Sequence, residues 1–79
     1  MNFVMTDYLE KVKEVKRNNE KNWLAMEGVM AVGIGKIADG NLGIIISVKE
    51  NIAKFRAQIP EKVEDIAIEI KETGEIKAY

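Results

Sequence analysis

Val29-Met30-Ala31-Val32-Gly33-Ile34-Gly35-Lys36-Ile37, then Ala38-Asp39-Gly40-Asn41, then Leu42-Gly43-Ile44-Ile45-Ile46-Ser47-Val48, is the stretch on which the fold turns. Two runs rich in β-branched residues flank a short polar segment. Within it, Asp-Gly tolerates the positive φ that tight hairpins require, so the stretch reads as a β-hairpin. The second run, Leu42 to Val48, is so apolar that it belongs in the middle of a sheet.

Working outward toward the C-terminus, Glu50 to Gln58 reads as a short helix with Ile52, Phe55 and Ile59 on one face, and Pro60 follows where a helix ends. Ile66, Ile68 and Ile70 then alternate with Ala67, Glu69 and Lys71, the period of a strand with one buried and one wet face. Thr73-Gly74 breaks or bulges that strand, and Glu75 to Tyr79 read as a final extended segment. Toward the N-terminus, Asp7 to about Met26 reads as a helix. Thr6 or Asp7 serves as its N-cap, Tyr8, Leu9, Val12 and Val15 recur at helical spacing, and Gly28 is its stop. Asn18, Asn19 and Asn22 make a polar gap where a bend or break is possible, before Trp23, Leu24 and Met26 resume the apolar face.

The predicted fold class is α+β: a two-layer α/β sandwich in the order α-β-β-α-β(-β), its mixed sheet carrying both helices on one face. No repeat or linker divides the chain, so residues 1–79 are expected to form a single domain. Within it, residues 1–27 are the helical segment and residues 28–79 a ββαβ unit.

Composition narrows the chemistry. A chain of 79 residues buries only roughly 60–65% of its unfolded surface and needs reinforcement. With no Cys and no His, disulfides and the favoured soft metal ligands are both excluded, which leaves oligomerisation or very regular packing. A net charge of −1 offers no field for nucleic acid or an anionic membrane. No apolar run is long enough to span a bilayer, and Met1 to Met5 lack the pattern of a signal peptide, so a cytoplasmic location is expected.

Gly28-Val29-Met30-Ala31-Val32-Gly33-Ile34-Gly35 resembles the "GVxGVGIG" strand of a small domain found widely in bacterial proteins. Ile59-Pro60-Glu61-Lys62-Val63, Ile66 to Ile70, and Glu72-Thr73-Gly74-Glu75-Ile76 are similar to its closing "IP…V…I…V…ETGEI" pattern. The resemblance covers roughly Gly28 to Tyr79. That domain occurs alone, in proteins of unknown function, or ahead of trypsin-like serine protease domains. The protease triad of the longer relatives has no counterpart in this sequence, so the resemblance implies no activity. The element order is also similar to small α-β-β-α-β domains with which bacteria attach to membranes or other proteins, and it ranks second because the secretory signal usual in those proteins is missing.

No catalytic residue, cofactor site or metal site is predicted. Gly33-Ile34-Gly35 sits inside a strand and not at the strand-to-helix turn of phosphate-binding loops, so packing or a bulge explains it better. Ser47 is the only serine and has no His to activate it. Asp39-Gly40-Asn41 lacks the spaced acidic ligands of a calcium loop. On the first helix, Glu10, Glu14 and Glu20 interleave with the lysines and Arg17, which makes ion pairs and not a basic stripe. What remains is a non-enzymatic interaction module of unknown specific role that associates with itself, as a homodimer, or with another protein. A first helix of about 30 Å is expected to overhang so small a sheet. Tyr8, Val12, Val15, Trp23 and Tyr79 are the candidate interface, although core packing is the leading role for Trp23. No nucleic acid, membrane or small-molecule ligand is inferred. The alternative is a regulatory or protease-associated domain acting on a separate serine protease, and a carboxylate-based enzyme ranks last.

Overall fold

The computed structural model describes the backbone of residues 4–38 and 40–73. Along the chain it forms α1 (Val4–Leu24), β1 (Val29–Lys36), β2 (Leu42–Val48), α2 (Ile52–Gln58), β3 (Lys62–Val63) and β4 (Ile66–Glu72). The sheet order is β1-β2-β4-β3. β1 and β2 pair antiparallel, β2 and β4 parallel, and β3 and β4 antiparallel, so the sheet is mixed and β2 lies inside it as its apolarity requires.

Register explains which side chains meet. Ile34 faces Ile44 and Val32 faces Ile46 across the first ladder, and Ile44 faces Ile68 and Ile46 faces Ile70 across the second. Alternation puts these residues on one face of the sheet. They form one cluster with Val12, Val15 and Trp23 of α1, Phe55 of α2, and Ile59 just beyond it. Both helices therefore cover the same face. The opposite face carries Ala31, Gly33, Gly35, Gly43, Ile45, Ser47, Ala67, Glu69 and Lys71.

α1 runs unbroken through the asparagines. Asn19 falls in the apolar stripe between Val15 and Trp23, and its side-chain amide donates to the Val15 carbonyl at 2.9 Å, which settles its partial burial without opening the helix. Lys16 and Glu20 span the same turn at 2.9 Å. Thr6 and Asp7 lie inside the helix and not at its cap, because it begins at Val4, and Asp7 contributes instead as a carboxylate in the first turn. The helix ends at Leu24, two residues before the expected end. Gly28 then takes φ +100, a conformation open to glycine, and Lys49 N–H donates to its carbonyl at 2.8 Å.

β3 is not apparent in the sequence: two residues are too short to show a period, and Glu64-Asp65 is not a typical hairpin turn. Both residues have positive φ, the geometry of a two-residue hairpin with Val63 opposite Ile66. The extended segment expected over Glu75 to Tyr79 lies outside the described residues.

The glycines divide by role. A Cβ on Gly43 would stand 2.7 Å from the Ala67 carbonyl oxygen and 3.0 Å from Ile37 Cγ2, whereas one on Gly33 would meet no described atom within 4 Å. Close approach, expected of the β1 glycines, holds at Gly35, where a Cβ would stand 2.9 Å from Ile45 Cδ1, and not at Gly33; the tightest approach of backbone is at Gly43 in β2. The bulge of β1 lies between Val29 and Ala31, away from its glycines. Gly43→Ala is expected to cost about 1–3 kcal/mol through overpacking, while Gly33→Ala is neutral or stabilising by up to about 1 kcal/mol. Urea unfolding of the two variants checks this, and equal midpoints would contradict the assignment.

Candidate functional site

The side chains expected at an interface are largely consumed by the chain itself. Val12 and Val15 are wholly buried, and Trp23 is 4% exposed. Tyr8 is half-buried, and its hydroxyl donates to the Leu42 carbonyl at 2.7 Å, tying α1 to the start of β2. α1 packs along β1 and also reaches β2 and β4. The expected use of the α1 apolar face as a partner surface is therefore corrected, since that face is already spent on the sheet. Tyr79 lies outside the described residues.

Ser47 and Lys71 are register neighbours across the β2–β4 ladder on the open face, and neither lines the two grooves described below. Glu69 Oε1 accepts the Ala38 N–H at 3.1 Å, so this carboxylate holds the end of the hairpin. Among the described residues no three Asp or Glu side chains gather as a metal-holding group, and no polar or charged side chain is buried. No helix among them is long and apolar enough to cross a membrane.

Two grooves exist. One, of about 580 Å³, runs between the hairpin end at Ile37 and Ala38, the exit of α2 at Arg56, Ile59 and Pro60, and Ile68 of β4. The other, of about 440 Å³, lies between Gly28, Met30, Lys49 and Phe55. Glu61 and Glu69 also line the first groove with Arg56, and Lys54 and Glu50 line the second.

The most distinctive surface is the outer edge of β1. Ile37 N–H donates to the Asn41 carbonyl at 2.9 Å, which sets the parity of the ladder. Residues 31, 33, 35 and 37 turn their backbone groups toward β2, so Val32, Ile34 and Lys36 turn theirs outward. No strand among the described residues pairs with that edge. β1 is eight residues long and carries no charge before Lys36. Native edges are usually shortened, charged or covered, and this one has only its bulge and its terminal lysine. The opposite edge is partly shielded: β3 covers the start of β4, and Ile68 N–H donates to the Glu61 carbonyl at 2.8 Å. Met30 in β1 and Leu24 at the end of α1 are the exposed large hydrophobics among the described residues, at 41% and 44%.

Compared with protein-family models, curated proteins and solved structures, the chain finds no match in any of the three. The family resemblance of Gly28 to Tyr79 thus stands on its motifs alone.

The sequence reading missed the β1 edge because strand order is not visible in a run of residues. The available signal was the contrast between the two hairpin strands: Leu42–Val48 reads as interior, so Val29–Lys36 is displaced outward. Trp23→Ala is expected to destabilise the monomer by about 3–5 kcal/mol, a large share of the stability of so small a domain. Thermal unfolding followed by circular dichroism reads the loss. A variant that melts like the parent would return Trp23 to an interface role.

Proposed function

We propose that the chain is a non-enzymatic interaction module that associates with itself as a homodimer. The observation that supports this reading is the nearly uncharged edge of β1, which no strand among the described residues pairs with. A row of outward N–H and C=O groups is a template for another strand, and main-chain hydrogen bonds supply the affinity when one is added. The size of the chain favours the same answer, because a small domain without disulfides or soft metal ligands gains stability by association. A cytoplasmic setting suits a chain without cysteine. The protease-associated alternative rests on motif resemblance and adds no geometry to this reading.

A single-strand contact is at the small end of protein interfaces, so the dimer is expected to have a dissociation constant on the order of micromolar. Sedimentation velocity over rising concentration should show the weight-average mass climbing from monomer toward dimer. A chain that stays monomeric at about 100 µM contradicts the proposal.

A further inference from the structure

We infer that two copies pair β1 to β1, antiparallel, about a two-fold axis at Gly33, joining two four-stranded sheets into one continuous sheet. The inference rests on the reading that the chain self-associates, and it names the surface and the register.

Parity limits the choices. A strand added to this edge must bring its own outward groups opposite Val32, Ile34 and Lys36. When the partner is the same edge, pairing centred on Gly33 places Val32 of one copy opposite Ile34 of the other, twice by symmetry, and Lys36 opposite Met30. This register overlaps all of the strand beyond the bulge at Val29–Ala31. An isologous contact of this kind uses the β1 edge of both copies and closes at two.

Side chains agree with that register. Val32 and Ile34 lie on the core face yet are only half-buried, because β1 is the edge strand. Pairing sets each against the other's β-branched side chain and extends the apolar layer across the axis. On the open face, Gly33 meets Gly33 and Ala31 meets Gly35, so nothing obstructs approach. The stem of Lys36 comes to the exposed Met30.

Charge selects the antiparallel sense. Lys36 closes β1, and Glu27 lies just ahead of its start. Both are exposed, and neither has an ion-pair partner among the described residues. Antiparallel pairing carries each Lys36 to the Glu27 end of the other copy. Parallel pairing would set lysine beside lysine and glutamate beside glutamate.

The chain has no cysteine, so one introduced thiol reads the register. Gly33 occupies a non-hydrogen-bonded position of the proposed ladder, where facing Cα atoms are about 4.5 Å apart, within disulfide range. A Cβ there meets no described atom within 4 Å, so Gly33→Cys fits the monomer. In a glutathione redox buffer Gly33→Cys should accumulate as covalent dimer. Ala31→Cys should not, because its copies are offset by four residues, roughly 13 Å along the strand. Cross-linking of Ala31→Cys as fast as Gly33→Cys overturns the register. A parent chain that sediments as a dimer while Gly33→Cys stays uncross-linked overturns the inference and leaves self-association standing. A parent that stays monomeric overturns both. A readout without cysteine is chemical synthesis of the chain with an N-methyl group on Ile34, which removes one outward N–H and keeps the hairpin bonds. It should weaken association about ten-fold or more with an unchanged circular dichroism spectrum, and undiminished association counts against the pairing.

Discussion

A four-stranded sheet has two faces, and in this chain the two helices cover the same one. The constraint begins in the register of β2 and β4, whose isoleucines align in pairs, Ile44 with Ile68 and Ile46 with Ile70. A one-residue slip would turn one strand's isoleucines away from the core, so the apolar pattern fixes the parallel ladder. Val12, Val15, Trp23, Phe55 and Ile59 then have one surface on which to bury themselves, and they share it. Everything left over follows. The second face carries glycine, alanine, Ile45 and a few polar residues, and the strand at the hairpin's outer side has an edge that no strand among the described residues pairs with.

Gly28 shows how closely the parts depend on one another. Its positive φ turns the chain from α1 into β1, and its carbonyl accepts from Lys49 at the end of β2. A Cβ there would stand 2.9 Å from Phe55 Cζ, so the bare backbone also gives α2 its seat. The turn, the hairpin base and the second helix meet at one residue that tolerates no side chain.

Much of the architecture was legible in the amino acids because it is written in local periods. The alternation of Ile66, Ile68 and Ile70, the run Leu42 to Val48 and the spacing of Val12 and Val15 each name an element and its buried side. The continuity of α1 was less legible, because three asparagines argue against a helix. Only the placement of Asn19 in the stripe, with Val15 O within reach, shows how the helix survives. β3 was hidden by its length and by a turn of Glu64 and Asp65 held at positive φ. The candidate interface was misplaced for a related reason. Tyr8, Val12, Val15 and Trp23 have the composition of a binding surface, and composition does not say whether the chain's own sheet reaches that surface first. The β1 edge is the reverse case, a site built of backbone groups that no side-chain motif announces.

The most direct measurement is residue-resolved amide hydrogen exchange of the unmodified chain at low and high protein concentration. At low concentration, Val32, Ile34 and Lys36 should exchange fast while Gly33 and Gly35, bonded to β2, stay protected. At high concentration protection should spread to Val32 and Ile34 and leave Gly33 and Gly35 unchanged. Outward amides that exchange at the same rate at both concentrations, in a chain whose inward amides are protected, would contradict the claim that β1 is where this protein meets its partner.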